Sequence, residues 1–192
     1  MELGREMRII TGRYKGRHFD IPRTFKARPT TDFAKENIFN VLVQYVDFED
    51  ATALDLFSGT GSITLELLSR GCRQVVSVEL DRDHHRFIQQ CVARLQGENA
   101  QHPMLNVQCI RADVFRFVKS CHQQFDFIFA DPPYALKELP QIPALIFGKG
   151  LLTPGGILVF EHGSGHDFSA HPHFVEHRKY GSVNFSIFRT SE

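Results

Sequence analysis

The chain has 192 residues, enough for one domain with a substantial core but too few for two full domains. Hydrophobic residues make up 42% and charged residues 23% of it, which excludes a disordered or fibrous protein. No apolar run is long enough to cross a bilayer, and the charged N-terminus holds no signal-peptide core, so we predict a cytoplasmic location. The four cysteines form no C-x-x-C pair, and we interpret them as reduced core thiols: Cys72, Cys91, Cys109 and Cys121.

The charged residues are unevenly distributed along the chain. The formal net charge is zero, with 22 Lys and Arg against 22 Asp and Glu, yet residues 1–35 hold nine basic and four acidic residues. That segment therefore carries +5 and the remainder −5. A basic segment attached to an acidic body indicates a nucleic-acid contact at one end of the molecule, and a solvated charged surface is the alternative interpretation.

The first fifty residues show a different pattern from the rest. Short strands are predicted at 8–12 and 17–21 around a turn at Gly16, followed by a proline-containing connection and a helix from about Thr31. We predict that residues 1–50 form a small basic extension, a β-hairpin plus a helix, and that residues 51–192 form the main domain.

From residue 52 onward, strand and helix patterns alternate. Strands are predicted at 52–56, 74–80, 106–111, 125–130 and 156–161, and helices at 62–70, 83–95, 114–120 and 136–147. This alternation predicts an α/β fold with a mostly parallel, doubly wound sheet. The sheet is expected to have seven strands and to end in a hairpin formed by 174–180 and 182–188 around Gly181.

Acidic residues follow three successive strands of this predicted sheet. Asp55 lies near the end of the first strand, Glu79 near the end of the second, and Asp113 just after the third. Ligands of an open parallel sheet bind beyond the carboxyl ends of its strands, where the strand order reverses. Each acid alone is typical of a helix N-cap, but the ordered set favours an adenosine-containing ligand.

The turn after the first of these strands reads Asp55-Leu-Phe-Ser-Gly59-Thr-Gly61 and leads into a helix. Its glycines allow the backbone to approach a ligand closely. Glu79 follows Gly61 by 18 residues, near the spacing at which a carboxylate binds ribose hydroxyls. A dinucleotide fingerprint requires Gly or Ala where Thr64 stands, and a Walker loop requires a Gly-Lys pair that this turn lacks, so both motifs fit poorly.

With these acids, the turn resembles the first motif of class I S-adenosylmethionine-dependent methyltransferases, whose fold is Rossmann-like. The resemblance implies that S-adenosylmethionine is the cofactor and that Asp55 and the two glycines border its methionine moiety. It also implies that Glu79 holds the ribose and that Asp113 faces the adenine. The implied cofactor residues are Asp55, Phe57, Gly59, Gly61, Glu79, Leu80, Asp113 and Val114.

The fourth strand of the main domain ends in Asp131-Pro132-Pro133-Tyr134. Proline has no N–H to donate and restricts φ, so the Pro132 carbonyl is rigidly directed. A planar base amine that attacks a methyl group must be held by both N–H bonds, and the Asp131 carboxylate and the Pro132 carbonyl are two acceptors that do this. Tyr134 offers a stacking surface for the base. The alternative is a rigid turn with no catalytic role. The Asp-Pro-Pro-Tyr turn follows strands that already carry the pattern of a cofactor site, and this favours a functional role.

This turn resembles the (Asp/Asn)-Pro-Pro-(Tyr/Phe) signature of methyltransferases acting on amino or amide nitrogens, which implies that Asp131, Pro132 and Tyr134 are catalytic. More narrowly, the chain resembles the RsmD family of bacterial 16S rRNA guanine-N2 methyltransferases. The likeness is carried by residues 7–17, residues 28–40 and Ser69-Arg70-Gly71. Three features depart from the family pattern, because Lys35 stands in place of Arg, Cys91 in place of Asn, and residues 1–6 precede the usual start.

By this resemblance, the basic extension contributes to RNA binding, which accounts for its charge of +5. The implied substrate-binding residues are Arg13, Lys15, Arg17, Arg28, Lys35 and Pro133. The expected partner of the monomer is 16S rRNA in the 30S subunit or an assembly intermediate, and no membrane is involved. Because a +5 segment neutralises few phosphates, we expect efficient reaction to require a folded ribosomal particle.

Two other functions remain open on the sequence. An adenine-N6 DNA methyltransferase uses the same signature, and a nonenzymatic RNA-binding assembly factor needs only the basic extension. A group of five histidines has no standard metal-site spacing, so we predict a polar loop at the mouth of the site and no metal. These are His162, His166, His171, His173 and His177.

Overall fold

The computed structural model describes residues 5–26, 30–98 and 104–192. Its strands are β1 (Glu6–Arg8), β2 (His18–Asp20), β3 (Thr52–Leu56), β4 (Gln74–Glu79), β5 (Val107–Arg111), β6 (Phe125–Ala130), β7 (Leu152–His162), β8 (Phe174–Tyr180) and β9 (Val183–Arg189). Its helices are α1 (Asp32–Leu42), α2 (Ser62–Ser69), α3 (Arg82–Glu98), α4 (Val114–Ser120) and α5 (Ile142–Gly148), with a 3-10 turn at Leu139–Gln141. None of the helices in these ranges is both long and apolar enough to span a membrane.

Seven strands form one sheet in the order β5-β4-β3-β6-β7-β9-β8, and β1 and β2 form a separate antiparallel pair. Strands β3 to β7 are parallel to one another, whereas β9 is antiparallel to both β7 and β8. The predicted mostly parallel α/β sheet with a C-terminal hairpin is confirmed. The chain proceeds outward from β3 in one direction through β4 and in the other through β6. This reversal marks the carboxyl ends of β3 and β6 as the ligand-binding crevice.

Both faces of the sheet are buried, because adjacent residues of each central strand pack against different helical layers. Ala53 and Phe127 face a layer that contains α1, α2 and α3, whereas Leu54 and Ile128 face α4 and α5. This two-sided burial explains why the central strands read as continuous apolar runs.

The N-terminal extension shares the first of these two cores. Met7, Tyr14, Phe19 and Ile38 are buried in the same apolar cluster as the central strand residue Phe127. The extension is therefore packed onto the sheet layer through apolar contacts. The boundary predicted near residue 50 stays a prediction.

The N-terminal hairpin is shorter than predicted, because the backbone from residue 10 onward bonds to α2 instead of continuing the ladder. The N–H groups of Ile10 and Thr11 donate to the two carboxylate oxygens of Glu66, at 2.8 and 3.1 Å. Gly12 has a φ of +90°, and a Cβ there would lie 2.0 Å from the Ser69 carbonyl oxygen. The Ser69-Arg70-Gly71 motif thus contacts a loop far from it in sequence.

Two further elements show how local chemistry sets their ends. Thr31 is the N-cap of α1, since its hydroxyl accepts a bond of 3.2 Å from the Ala34 N–H. The helix predicted at 136–147 is instead a 3-10 turn followed by α5. Pro140 and Pro143 have no N–H for helical bonds, so the α-helix begins only at Ile142, with a proline in its first turn.

Candidate active site

The glycine turn between β3 and α2 has the left-handed conformations that its sequence indicates. Phe57, Gly59 and Gly61 have φ values of +60°, +55° and +79°. Gly61 is the N-cap of α2, and a Cβ there would lie 2.8 Å from Cγ1 of Ile88 in α3. Glycine at 61 is therefore required both by the backbone conformation and by the close approach of α3.

Asp55 lies beneath this turn and is almost completely buried, with 1% exposure. The Thr64 hydroxyl donates to its Oδ2 at 2.6 Å. Burial raises the pKa of the Asp55 carboxyl to about 7, and the nearby charge of Glu79 acts in the same direction. The first strand-end acid is thus held by α2, and its carboxyl is about half ionised near pH 7.

Glu79 and Leu80 lie at the end of β4, beside the same turn. The carboxylate of Glu79 accepts hydrogen bonds from the Gly59 N–H at 2.7 Å and from the Asp81 N–H at 2.8 Å. Leu80 is an apolar side chain with 63% exposure. The second strand-end acid therefore contacts the turn directly, next to an exposed apolar surface.

Asp113 follows β5 and caps α4. Its Oδ1 accepts a bond of 2.9 Å from the Arg116 N–H, which is the structural role that its sequence position suggests. Val114 is the buried first residue of α4, and the ring of Phe115 meets Phe57 edge-on at 6.4 Å. The ends of β3 and β5 are connected through this aromatic contact.

The Asp-Pro-Pro-Tyr segment follows β6 and lies against the end of β3, where the Asp131 N–H donates to the Leu56 carbonyl at 3.3 Å. Asp131 is partly buried and Pro132 is buried, whereas Pro133 is exposed. The ring of Tyr134 has 47% exposure. The structure thus brings a partly buried carboxyl and a half-exposed aromatic ring to the predicted crevice.

A fifth acid, Glu161, lies at the same place and was not predicted from the sequence. It is 5% exposed near the end of β7, and its Oε1 accepts a bond of 2.9 Å from the Tyr134 hydroxyl. Its Oε2 accepts a bond of 3.2 Å from the Thr30 hydroxyl. Glu161 is the last residue of the strand predicted at 156–161, so the sequence carries for it the same strand-end signal as for Asp55 and Glu79.

Carboxyl groups repel one another in this crevice. Burial raises the pKa of Asp131 well above its usual range, and the charges of Glu161 and Asp55 raise it further. Burial also raises the pKa of Glu161, whereas bonds from Tyr134, Thr30 and Asp131 stabilise its ionised form. Burial and the charge of Glu161 raise the pKa of Tyr134, so its hydroxyl stays protonated and donates. The arrangement favours a proton on Asp131 and an ionised Glu161.

Three of the predicted RNA-binding residues lie on the surface of the N-terminal loop. Arg13, Lys15 and Arg17 are exposed, and Arg17 also pairs with Glu98 at 2.9 Å. Arg28 lies outside the described residues. The exposed position of the first three leaves their predicted role open to test.

The predicted RNA contact at Lys35 is wrong, because this side chain is buried with 1% exposure. Its ammonium group donates to the Arg8 carbonyl and, at 2.9 Å, to the Ser62 hydroxyl, and lies 3.8 Å from Glu66. Burial lowers the pKa of Lys35, while the charge of Glu66 opposes that shift. Lys35 therefore joins the extension to the start of α2 instead of facing a ligand.

The histidine group consists of side chains in and around β7 and β8. The Nδ1 of His162 lies 2.8 Å from the Gly163 carbonyl and its Nε2 lies 2.8 Å from the Ser186 hydroxyl. His162 also packs against His166 and His177. Within the described ranges, no group of three or more His, Cys, Asp or Glu residues is arranged to hold a metal.

The four cysteines are free. Cys91 is buried, and the other three are partly buried. Burial raises the pKa of the Cys72 and Cys91 thiols to about 12, so both are protonated at neutral pH.

Comparisons with known proteins agree with this geometry. The family described as "Conserved hypothetical protein 95" matches residues 7–189. The chain belongs to this family, the RsmD family. The Haemophilus influenzae protein named "Ribosomal RNA small subunit methyltransferase D" is 30% identical to the chain over 158 residues, which cover 81% of the chain and 78% of that protein.

Solved structures share the fold of this RsmD-family chain. A structure from Escherichia coli, named provisionally as the methyltransferase yhhF, has a TM-score of 0.81 and is 25% identical in sequence. The match covers 97% of this chain and 98% of the Escherichia coli chain. The Thermus thermophilus 16S rRNA N2 G1207 methyltransferase RsmC, in complex with AdoMet and guanosine, has a TM-score of 0.68 and 19% identity. It covers 98% of the chain and 50% of its own length, and it shows the fold alone.

As an RsmD-family member, the chain is a methyltransferase that uses S-adenosylmethionine. The chemistry of the crevice fits this cofactor, which is cationic at its sulfonium and amino groups. The charges of Glu161 and Asp55 both disfavour ionisation of Asp131, and a bound cation would stabilise these carboxylates. Glu79 supplies acceptor oxygens suited to ribose hydroxyls, and Leu80 supplies exposed apolar surface suited to a purine. The individual cofactor contacts stay predictions.

Proposed function

We propose that this methyltransferase modifies the exocyclic N2 amine of a guanine in 16S rRNA of the small ribosomal subunit. The observation that carries the proposal is the Asp131-Pro132-Pro133-Tyr134 turn, which joins a partly buried carboxyl to a half-exposed ring in the cofactor crevice. The substrate class is supported by the rRNA small subunit methyltransferase named above and by the basic extension.

The residues of this chain have separate parts in the proposed reaction. Tyr134 stacks on the base, while the Asp131 carboxylate and the Pro132 carbonyl accept the two N–H bonds of the amine. When bound, S-adenosylmethionine supplies an electrophilic methyl group and a positive charge that favours ionised carboxyls nearby. As the nitrogen gains a methyl group it must lose a proton, and Asp131 is placed to receive that proton. A carboxylate with a raised pKa is a stronger proton acceptor than an ordinary one.

Several parts of the proposal extend beyond the site itself. We propose that the partner is the 30S subunit or an assembly intermediate and that the enzyme acts as a monomer in the cytoplasm. The base must be exposed in a loop or flipped out to reach Tyr134, because a paired base cannot place its amine in such a crevice.

Nucleoside analysis is expected to find N2-methylguanosine after the enzyme has acted on small-subunit particles with labelled S-adenosylmethionine. Particles from cells that lack this protein serve as substrate, and protein-free 16S rRNA is assayed in parallel. N6-methyladenine in the digest would support the adenine methyltransferase instead. RNA binding without label in any ribosomal substrate would support the nonenzymatic assembly factor.

Replacing Arg13, Lys15 and Arg17 together with alanine is expected to raise the substrate KM more than it lowers kcat. These exposed side chains position RNA by charge and lie outside the crevice. If all three contact phosphates, the salt dependence of binding loses a slope of about 2 to 3. The matched control replaces three exposed basic residues on the other side of the sheet, Arg116, Lys119 and Lys149. Equal effects of the two triple variants would contradict a localised RNA contact.

A further inference from the structure

We propose that Glu161 is a positioning residue, which holds the Tyr134 ring and the Asp131 side chain in one arrangement for methyl transfer. The proposal rests on the proposed function, because it assigns how the same crevice is set for a base amine. Glu161 acts through Tyr134 and Asp131 and is not expected to contact the methyl group.

The register of the sheet brings Glu161 beside Asp131. Ala130, the last residue of β6, pairs with Phe160 of the parallel strand β7. Asp131, directly after β6, therefore lies beside Glu161 of β7 at the crevice. The charge of Glu161 raises the pKa of Asp131, as expected for neighbouring carboxyls. This adjacency follows from the β6–β7 pairing, because Asp131 is the first residue after the paired part of β6.

Glu161 also holds the hydroxyl end of the Tyr134 side chain. The Tyr134 hydroxyl donates to Glu161 at 2.9 Å, while a Cβ added at Gly163 would lie 3.5 Å from Cδ2 of the ring. One oxygen of Glu161 and the backbone just after β7 therefore set the tilt of a half-exposed aromatic side chain. Because the ring is already fixed, less side-chain entropy is lost when a base binds on it.

The second oxygen of Glu161 contacts the N-terminal side of the molecule. It accepts a hydrogen bond of 3.2 Å from Thr30, the residue before the Thr31 cap of α1. Thr30 lies within the basic extension that we propose for RNA binding. Glu161 thus contacts the catalytic carboxyl, the stacking ring and the segment next to the RNA-binding surface at once.

The ionisable groups around Glu161 predict that Glu161 affects the protonation of Asp131. Asp131 faces it from the turn after β6, Tyr134 from the same turn, and Asp55 in β3 acts on Asp131. The neighbouring His162 directs its ring nitrogens to Gly163 and Ser186. Two carboxyls this close share a proton, and removal of one of them allows the other to ionise at lower pH.

The test is Glu161→Gln, which keeps the size of the side chain and an oxygen that accepts from Tyr134. We expect kcat to fall about 10-fold or more, with the RNA KM changed less than the kcat. The acid limb of the pH profile of kcat is expected to move to lower pH by about one unit. Carbon-13 NMR of the Asp131 carboxyl is expected to show the same downward change in its pKa without any RNA.

Two further variants separate positioning from general stability. Tyr134→Phe removes the hydroxyl, and we expect the double variant with Glu161→Gln to be less impaired in kcat than the product of the single effects, because the two residues act together. Glu176→Gln is the matched control, since Glu176 accepts a comparable bond of 2.6 Å from Tyr45, away from the crevice. That control is expected to leave kcat and its pH profile unchanged.

The outcomes distinguish this proposal from the proposed function. Wild-type kcat, pH profile and Asp131 titration in Glu161→Gln would overturn the positioning role while leaving the rRNA methyltransferase intact. A wild-type enzyme that methylates no ribosomal RNA would contradict the proposed function. The carboxyl titration would still test the Asp131–Glu161 pairing in that case, and an unshifted Asp131 would overturn the positioning role independently.

Discussion

Replacing Asp131 with alanine is expected to lower kcat for methyl transfer by about 100- to 1,000-fold while S-adenosylmethionine binding is retained. The carboxyl is proposed to hold the amine and receive its proton, so its loss acts mainly in the transition state. Transfer of labelled methyl to small-subunit particles gives kcat, and calorimetry gives cofactor affinity. Asp167→Ala removes an exposed carboxylate of the loop after β7 and serves as the control.

A measurement of resistance to urea tests whether the Asp131→Ala protein loses activity through unfolding. The pKa of Asp131 is raised in the folded state, so this group stabilises the fold less as the pH rises above its ordinary value. The variant should therefore be at least as resistant to urea at pH 8 as the wild-type protein. Full activity in a folded Asp131→Ala enzyme would refute the assigned role of the carboxyl.

Replacing Glu66 with alanine is expected to lower the free energy of unfolding by about 3–5 kcal/mol. Glu66 is completely buried in α2 and accepts bonds from the Ile10 and Thr11 N–H groups and from Arg70 Nε at 3.0 Å. Its removal leaves Lys35 buried without its nearest carboxylate, 3.8 Å away. Urea unfolding followed by circular dichroism measures the loss.

A surface carboxylate provides the comparison for Glu66. Glu98 pairs with Arg17 and Arg94, both at 2.9 Å, but all three side chains are considerably exposed. Glu98→Ala is therefore expected to cost at most about 1 kcal/mol. Equal destabilisation by the two substitutions would show that Glu66 does not anchor the extension.

The Asp-Pro-Pro-Tyr turn and much of the sheet were predictable because their signals are local. The bounds of α4, β6 and β8 agree with the predicted ones, since α4 and β6 have short apolar patterns and β8 ends at the turn around Gly181. The Asp-Pro-Pro-Tyr segment and the glycine turn are continuous in sequence, so their positions after β6 and β3 followed once the strands were recognised. The helix at 136–147 was predicted too long, because its prolines were read as part of the apolar pattern.

The errors at individual residues concern contacts between distant parts of the chain. Lys35 looks like one more cation of a basic segment, and only the packing of that segment on α2 buries it against Glu66. Glu161 looks like an acid at the end of an apolar strand, and only the β6–β7 register places it beside Asp131.

The sequence by itself determined the alternation of strands and helices, the glycine turn, the ordered acids and the Asp-Pro-Pro-Tyr turn. These features depend on side-chain periodicity and on the backbone restrictions of Gly and Pro, which act over a few residues. Tertiary structure decided which charged groups are buried and which carboxyls meet. Burial and pairing depend on strand order and register, and these are set by the packing of segments far apart in the chain.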